Sequence, residues 1–392
     1  MSGPTRLFAN LGAEEPDAWQ RMSAHPRVRT AARLWAALFP AGARLVGPGA
    51  PEAPRLAAAF ACDAERPALP FCAPGESLVP WLATEQAERL AREEGVPFAP
   101  PPAEVVTRVH DKAFAQEAAL ASGLVPPPLV GATLALGPEE LVEADAVRCR
   151  IESAVARWPL ELRARFTVKP RLGTSGRGRL DGADGRIDAE LLSRSLSRLR
   201  DRGGALIEPW LERMLDLSAQ LLVSGPDEVR VLGTLRQVVS ARGAPTGHVG
   251  RIDREGEVDS GTAWDAALRE AALAIGRAAA REGFRGACGV DAFVFRGSDG
   301  ARTLRPVVEL NARFTMGTVA LGHLARAVRA GLARGAGAFY FGFAPGAGAW
   351  PSEARRGARL EPILDGDPSA RLCLATDELA LADALPTIRR SE

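Results

Sequence analysis

Two late segments, GVDAFVF (289–295) and PVVELNARF (306–314), constrain this chain most. Both are rich in β-forming residues, yet each carries an acid inside the run. Asp is depleted from strands, so Asp291 among valine and phenylalanine asks for a reason. The residues between them, GSDGAR (297–302), read as a hairpin-like turn. Side chains alternate along a strand. Val307, Glu309, Asn311 and Arg313 therefore share one face, and Val308, Leu310, Ala312 and Phe314 the other. Asp291 on one strand can face Glu309 and Asn311 on its neighbour. Three hard oxygen ligands at one place suit Mg2+, which takes few protein oxygens and completes its shell with phosphate and water. On the residues alone, the pattern also suits a solvated face of an edge hairpin.

A second feature is FTVKPRLGTSGRGRL (166–180). A β-like run (166–168) meets Lys169 and Pro170, and then a loop carries Gly173, Gly176 and Gly178 with Thr174 and Ser175 between them. No Gly-Lys-Ser/Thr follows, so it is not a Walker A loop, and the next residues read as strand rather than helix. Glycines and small hydroxyl residues between two strands can offer backbone N–H groups to phosphate oxygens, and they also suit a flexible hairpin tip. Composition sharpens the reading. Of 49 Lys plus Arg, only Lys112 and Lys169 are lysines. Where arginine has replaced lysine almost everywhere, two survivors suit either chance or sites that need a compact ammonium. Lys112 opens the helix expected over HDKAFAQEAALASG (110–123), with Asp111 as N-cap and Gly123 as stop. A cation in a first turn opposes the helix dipole, which argues for a role.

The rest of the chain supplies a frame. Residues 1–105 alternate short apolar runs with helical patterns, such as 29–39 and 79–95, and suggest a small parallel α/β unit. Helices are expected over 188–200, 264–283 and 317–333, a strand at 205–211, antiparallel strands over 215–252, and a hairpin at 359–376. In LIEPWLERMLDLSAQ (206–220), Pro209 interrupts regular pairing after Glu208, and Trp210 and Leu211 would suit a flat base; a strand end with a core tryptophan is the commoner reading of such a segment.

In this order the elements resemble the ATP-grasp superfamily of carboxylate–amine ligases, biotin carboxylase included. The resemblance covers roughly residues 105–330 and rests on six features. These are HDK with Lys112, VKPRLGTSGRG with Lys169, IEPWL with Glu208, Trp210 and Leu211, then Asp291, Glu309-x-Asn311, and Arg313. It implies an α/β (α+β) ATP-grasp fold. Residues 1–105 would be a Rossmann-like domain and 106–334 the ATP-grasp domain, with a small lid subdomain at about 165–212. Residues 335–392 would be a short C-terminal extension with a β-hairpin.

It also implies roles. Lys112, Lys169, Gly173, Thr174, Ser175, Gly176, Glu208, Trp210, Leu211 and Asp216 would bind ATP. Asp291, Glu309 and Asn311 would hold Mg2+ or Mn2+. Lys169 and Arg313 would act on the reacting groups, Arg313 by holding a carboxylate or stabilising an acyl phosphate; an ion pair with Glu309 is its other reading. His248, Arg251, Arg171 and Arg177 could reach the triphosphate, and for His248 a surface turn suits equally. The implied reaction activates a small-molecule carboxylate as an acyl phosphate and couples it to an amine. An ATP-dependent carboxylase and a non-catalytic nucleotide-binding module are the alternatives.

A formal net charge of +1 gives no field that would recruit nucleic acid. Five scattered cysteines, without zinc spacing, suit reduced thiols in the cytoplasm. No signal peptide or membrane span is read in the sequence. A homodimer is a family-level expectation.

Overall fold

The structure, a computed structural model, describes residues 3–15, 19, 21, 23–173, 177–239, 245–343 and 357–385. Short parallel strands open the chain: β1 (Arg6–Phe8) lies between β2 (Arg44–Leu45) and β3 (Leu78–Pro80). The helix α1 (Pro26–Ala36) buries Leu34 and Trp35 beside them. The segment 79–95, expected as one helix, is divided. Its start completes β3, and α2 (Glu85–Glu93) begins only after Thr84, whose hydroxyl accepts the Ala87 N–H. Next come α3 (Ala103–His110) and α4 (Lys112–Ala121), which meet at Asp111. Its extended backbone ends α3, and its carboxylate caps α4 through the Ala113 N–H at 2.8 Å. Gly123, at φ 66°, closes α4 in a conformation few other residues adopt.

The smaller sheet contains β4 (Leu134–Leu136), β5 (Arg165–Pro170), β6 (Leu180–Ala183) and β7 (Ala205–Pro209), antiparallel, in the order β4-β7-β5-β6. Two helices cover one face, α5 (Ala144–Val155) and α6 (Ala189–Asp201). In α6, Leu192, Leu196 and Leu199 recur at helical spacing and are buried with Val168 and Ile207. Each contributes about 2 kcal/mol of apolar burial. Since Phe166 and Val168 point into this core, Thr167 and Lys169 point to the opposite face.

The larger sheet has nine strands: β8 (Arg213–Val223), β9 (Val229–Val239), β10 (Pro245–Ile252), β11 (Val258–Asp259), β12 (Gly286–Arg296), β13 (Arg302–Asn311), β14 (Ala338–Phe343), β15 (Ala358–Leu364) and β16 (Asp367–Ala375). Their order is β13-β12-β8-β9-β10-β14-β16-β15, with β11 on β10. Helices α7 (Asp265–Arg281) and α8 (Met316–Arg329) pack on this sheet, and α9 (Glu378–Ala384) covers β14 to β16. The strands that follow residue 334 thus continue the larger sheet past β10.

One apolar cluster runs from β1 and α1 through α8 into the larger sheet. An ionic tie crosses it: the Arg326 guanidinium is wholly buried and lies 3.0 Å from Asp63, which also pairs with Arg329 at 2.5 Å. Register is irregular at one place that matters. Asp291 faces Glu309, yet Phe293 faces Arg305, so extra residues bulge out of β13 at Pro306–Val308. Proline has no N–H to lose from a ladder and tolerates such a bulge. Strict alternation therefore fails there: Val307 joins the large core with Leu310, while Val308 packs in the core of the smaller sheet. No described helix is long and apolar enough to cross a membrane.

Candidate active site

Lys169 on β5 and Glu208 on β7 occupy the face of the smaller sheet that its helices leave free, and there they meet β13. Lys169 Nζ lies 2.6 Å from Glu208 Oε1. Arg305 donates to the other carboxylate oxygen at 2.7 Å and to Gln116 Oε1 at 3.1 Å. Gln116 in turn donates to the Val308 carbonyl at 2.8 Å, tying α4 to the bulge. Burial works against the Glu208 charge, but Arg305 and Lys169 outweigh it and hold the carboxyl well below its usual range. For Lys169 burial wins over Glu208, and the ammonium releases its proton more readily than a free lysine.

The second lysine stands across from the first. Lys112 Nζ donates to the Gly173 carbonyl at 2.8 Å and lies 3.4 Å from Glu309 Oε2. Glu309 is the cross-strand partner of Asp291. Asp291 Oδ1 accepts from Gln237 at 2.8 Å, and Oδ2 accepts from Asn311 at 3.0 Å. Burial and the Glu309 charge push the Asp291 carboxyl up. Burial opposes Glu309 as well, but Lys112 and Lys169 outweigh it and push that carboxyl down. One acid of the pair is thus held ionised and the other is reluctant to ionise, a tension that a divalent cation between them would relieve. Among the described residues no cluster of three His, Cys, Asp or Glu gathers; Asn311 turns its amide N–H to Asp291 and its Oδ1 to Arg313.

Arg313 pairs with Glu14 rather than with Glu309: its Nε lies 2.5 Å from Glu14 Oε1, and Nη2 donates to Asn311 Oδ1 at 3.0 Å. The Trp210 N–H donates to the Arg165 carbonyl at 2.9 Å. Its half-buried ring lies under the guanidinium of Arg179, 4.3 Å from the centroid. Leu211 corrects an expectation. Its side chain is buried in the core of the smaller sheet and is not an open wall for a flat base. Asp216, on β8 opposite Phe293, pairs with Arg213 at 3.0 Å. Gly173 has φ 152°, which favours glycine, while Thr174, Ser175 and Gly176 lie outside the described residues.

His248 is not on a surface turn. It is buried on β10 between Gln237 and Phe341 of the flanking strands, and burial pushes its imidazole down to about 4. Arg251 pairs with Glu378 of α9 at 2.8 Å, and Arg171 holds Asp111 at 2.7 Å. Arg305, Gln116, Gln237, His110 and Glu14 are brought in by the fold without having been singled out in the sequence. Arg305 had a signal, since it continues the series of alternate residues leading to Glu309. Glu14 had none.

No protein-family model matches the chain, and no curated protein matches it by sequence. Solved structures do. The biotin carboxylase domain of Hydrogenobacter thermophilus 2-oxoglutarate carboxylase, solved with MgADP, ADP and bicarbonate, is 16% identical; the match has a TM-score of 0.53 and covers 98% of this chain and 90% of that one. Biotin carboxylase from Campylobacter jejuni, in a β-γ-ATP complex, is 14% identical, with a TM-score of 0.53 over 97% and 89% of the two chains. N5-carboxyaminoimidazole synthase from Aspergillus clavatus, with ADP and 5-aminoimidazole ribonucleotide, is 14% identical, with a TM-score of 0.50 over 99% of each chain. The chain has the ATP-grasp fold, shared with these biotin carboxylases and this synthase.

Proposed function

We propose that this protein is an ATP- and Mg2+-dependent ligase that couples a carboxylate to an amine and releases ADP and phosphate. The observation that carries the reading is the placement of the only two lysines beside one acid pair: Lys112 Nζ lies 3.4 Å from Glu309, which faces Asp291, and the charge of Lys169 acts on the same carboxyl. Two cations beside an acid pair are what a triphosphate and its metal need.

The carboxylates of Asp291 and Glu309 fit Mg2+, since they offer hard oxygens, and Asn311 would add its Oδ1 on releasing Arg313. The metal would neutralise phosphate charge there. Lys112 would give up its bond to the Gly173 carbonyl and turn to phosphate oxygens. Lys169, fixed by Glu208, would bind them from the smaller sheet. The edge around Glu208, Trp210 and Asp216 would take the nucleoside. The substrate carboxylate takes the γ-phosphoryl group, ADP departs, and the amine then displaces phosphate from the acyl carbon. Arg313 would steady the carboxylate and the oxyanion of the tetrahedral intermediate.

A second reading makes bicarbonate the carboxylate. It is favoured by the likeness to biotin carboxylase structures, one of which holds bicarbonate. Purified protein with ATP, Mg2+ and pooled amino acids, with and without bicarbonate, distinguishes the two. ADP release that needs an organic carboxylate and an amine supports the ligase; release that needs bicarbonate supports the carboxylase. Release in neither case leaves a nucleotide-binding module.

A further inference from the structure

The loop Ala13–Glu15, after β1, delivers a carboxylate to Arg313. The Glu14 side chain is 1% exposed and engages Arg313 through Oε1. Its Oε2 is buried and, among the described residues, has no hydrogen-bond partner. His110 stands beside it, with Nε2 3.8 Å from Glu14 Oε1. The ring's Nδ1 accepts the Ala312 N–H at 3.1 Å, so the neutral imidazole carries its proton on Nε2, and that atom is also buried and unpartnered. Burial holds this imidazole down to about 4, so it stays neutral. Burial works against the Glu14 charge too, but Arg313 outweighs it and the carboxyl stays ionised.

A buried carboxylate oxygen without a donor is unfavourable, because its lost hydration is not replaced. Native proteins leave few such atoms, and each asks for an explanation. The position supplies one. Arg313, against the Trp81 ring at 5.9 Å, connects Glu14 to Asn311, and Asn311 connects to Asp291. Two residues, Arg313 and Asn311, stand between Glu14 and the acid pair.

We propose that Glu14 Oε2 accepts an N–H of the nucleophilic amine, so that this residue of the N-terminal loop selects substrates with an N–H to donate. The proposal rests on the ligase reading above and adds which residue reads the amine. Its test does not depend on turnover. Methylammonium chloride is expected to raise the melting temperature of the wild-type protein, and tetramethylammonium chloride at equal concentration, having no N–H, is not. Glu14→Gln abolishes the difference and Glu14→Asp retains part of it. Equal shifts from the two cations, or a difference that survives Glu14→Gln, overturn the proposal. Where Glu14→Gln fails to fold, the His110 ring 15N resonance of the wild type decides: methylammonium alone moves it if the subsite is real, and both or neither cation moves it if not. Amine-dependent ADP release judges the ligase reading separately. In that assay Glu14→Gln raises the KM of the amine at least tenfold and leaves the KM for ATP within twofold.

Discussion

Lys169 and Glu208 meet across β5 and β7 with 2.6 Å between Nζ and Oε1, and Arg305 closes on the same carboxylate from β13 at 2.7 Å. All three side chains are largely buried. Removing the one anion leaves two buried cations facing each other. Glu208→Gln is expected to cost about 3–5 kcal/mol of stability, read as a drop in the urea midpoint. Lys169→Met, which leaves Glu208 with Arg305, should cost less stability and far more nucleotide affinity. A Glu208→Gln protein as stable as wild type would show that this triad does not join the two sheets.

Lys112 tests the need for an ammonium. Its Nζ fits between the Gly173 carbonyl and Glu309, and the residue is buried. A planar guanidinium is larger and distributes its donors differently. Both Lys112→Met and Lys112→Arg are expected to weaken ADP binding tenfold or more, about 1.4 kcal/mol, by isothermal titration. Full binding by Lys112→Arg would remove the argument from lysine scarcity.

The acid pair predicts metal dependence. Glu309→Gln removes the proposed ligand beside Lys112, and ADP formation should fall roughly 100-fold or more, with a higher Mg2+ requirement. Asp291→Asn should behave similarly. Mg2+ saturation curves for the two variants that overlay the wild-type curve would place the metal elsewhere.

Asp63 predicts a pH effect on stability. Burial works against its charge, yet Arg329 and Arg326 outweigh it, so the folded-state carboxyl lies below its ordinary value of 3.8. As pH falls, the unfolded chain takes up this proton first. The contribution is complete above the ordinary Asp range and is lost as pH falls through it towards the folded value. Urea midpoints between pH 7 and pH 3 should therefore converge for wild type and Asp63→Asn, the gap being widest at neutral pH. A constant gap would contradict the ionic tie.

What the sequence made legible was local. Asp111 as a cap, Gly123 as a stop, and Asp291 opposite Glu309 all follow from residues close in the chain or from one hairpin. The bulge at Pro306–Val308 was hidden because alternation assumes an unbroken pleat. Leu211 looked like a wall for a base because apolar character does not say which way a side chain turns after a proline. The Arg313–Glu14 pair joins residues 299 positions apart, and no period or spacing links them. Such contacts arise only once α1 and α8 have packed together.

The strands past residue 334 bear on how the protein can be handled. β14 covers the free side of β10, and β16 and β15 extend that cover outward. Cutting the chain before Ala338 would bare the hydrogen-bonding edge of β10 and strip Phe339 and Phe341 from the main core. The shortened product would stick to its own copies and come down in inclusion bodies, even with every residue of the proposed catalytic cleft intact.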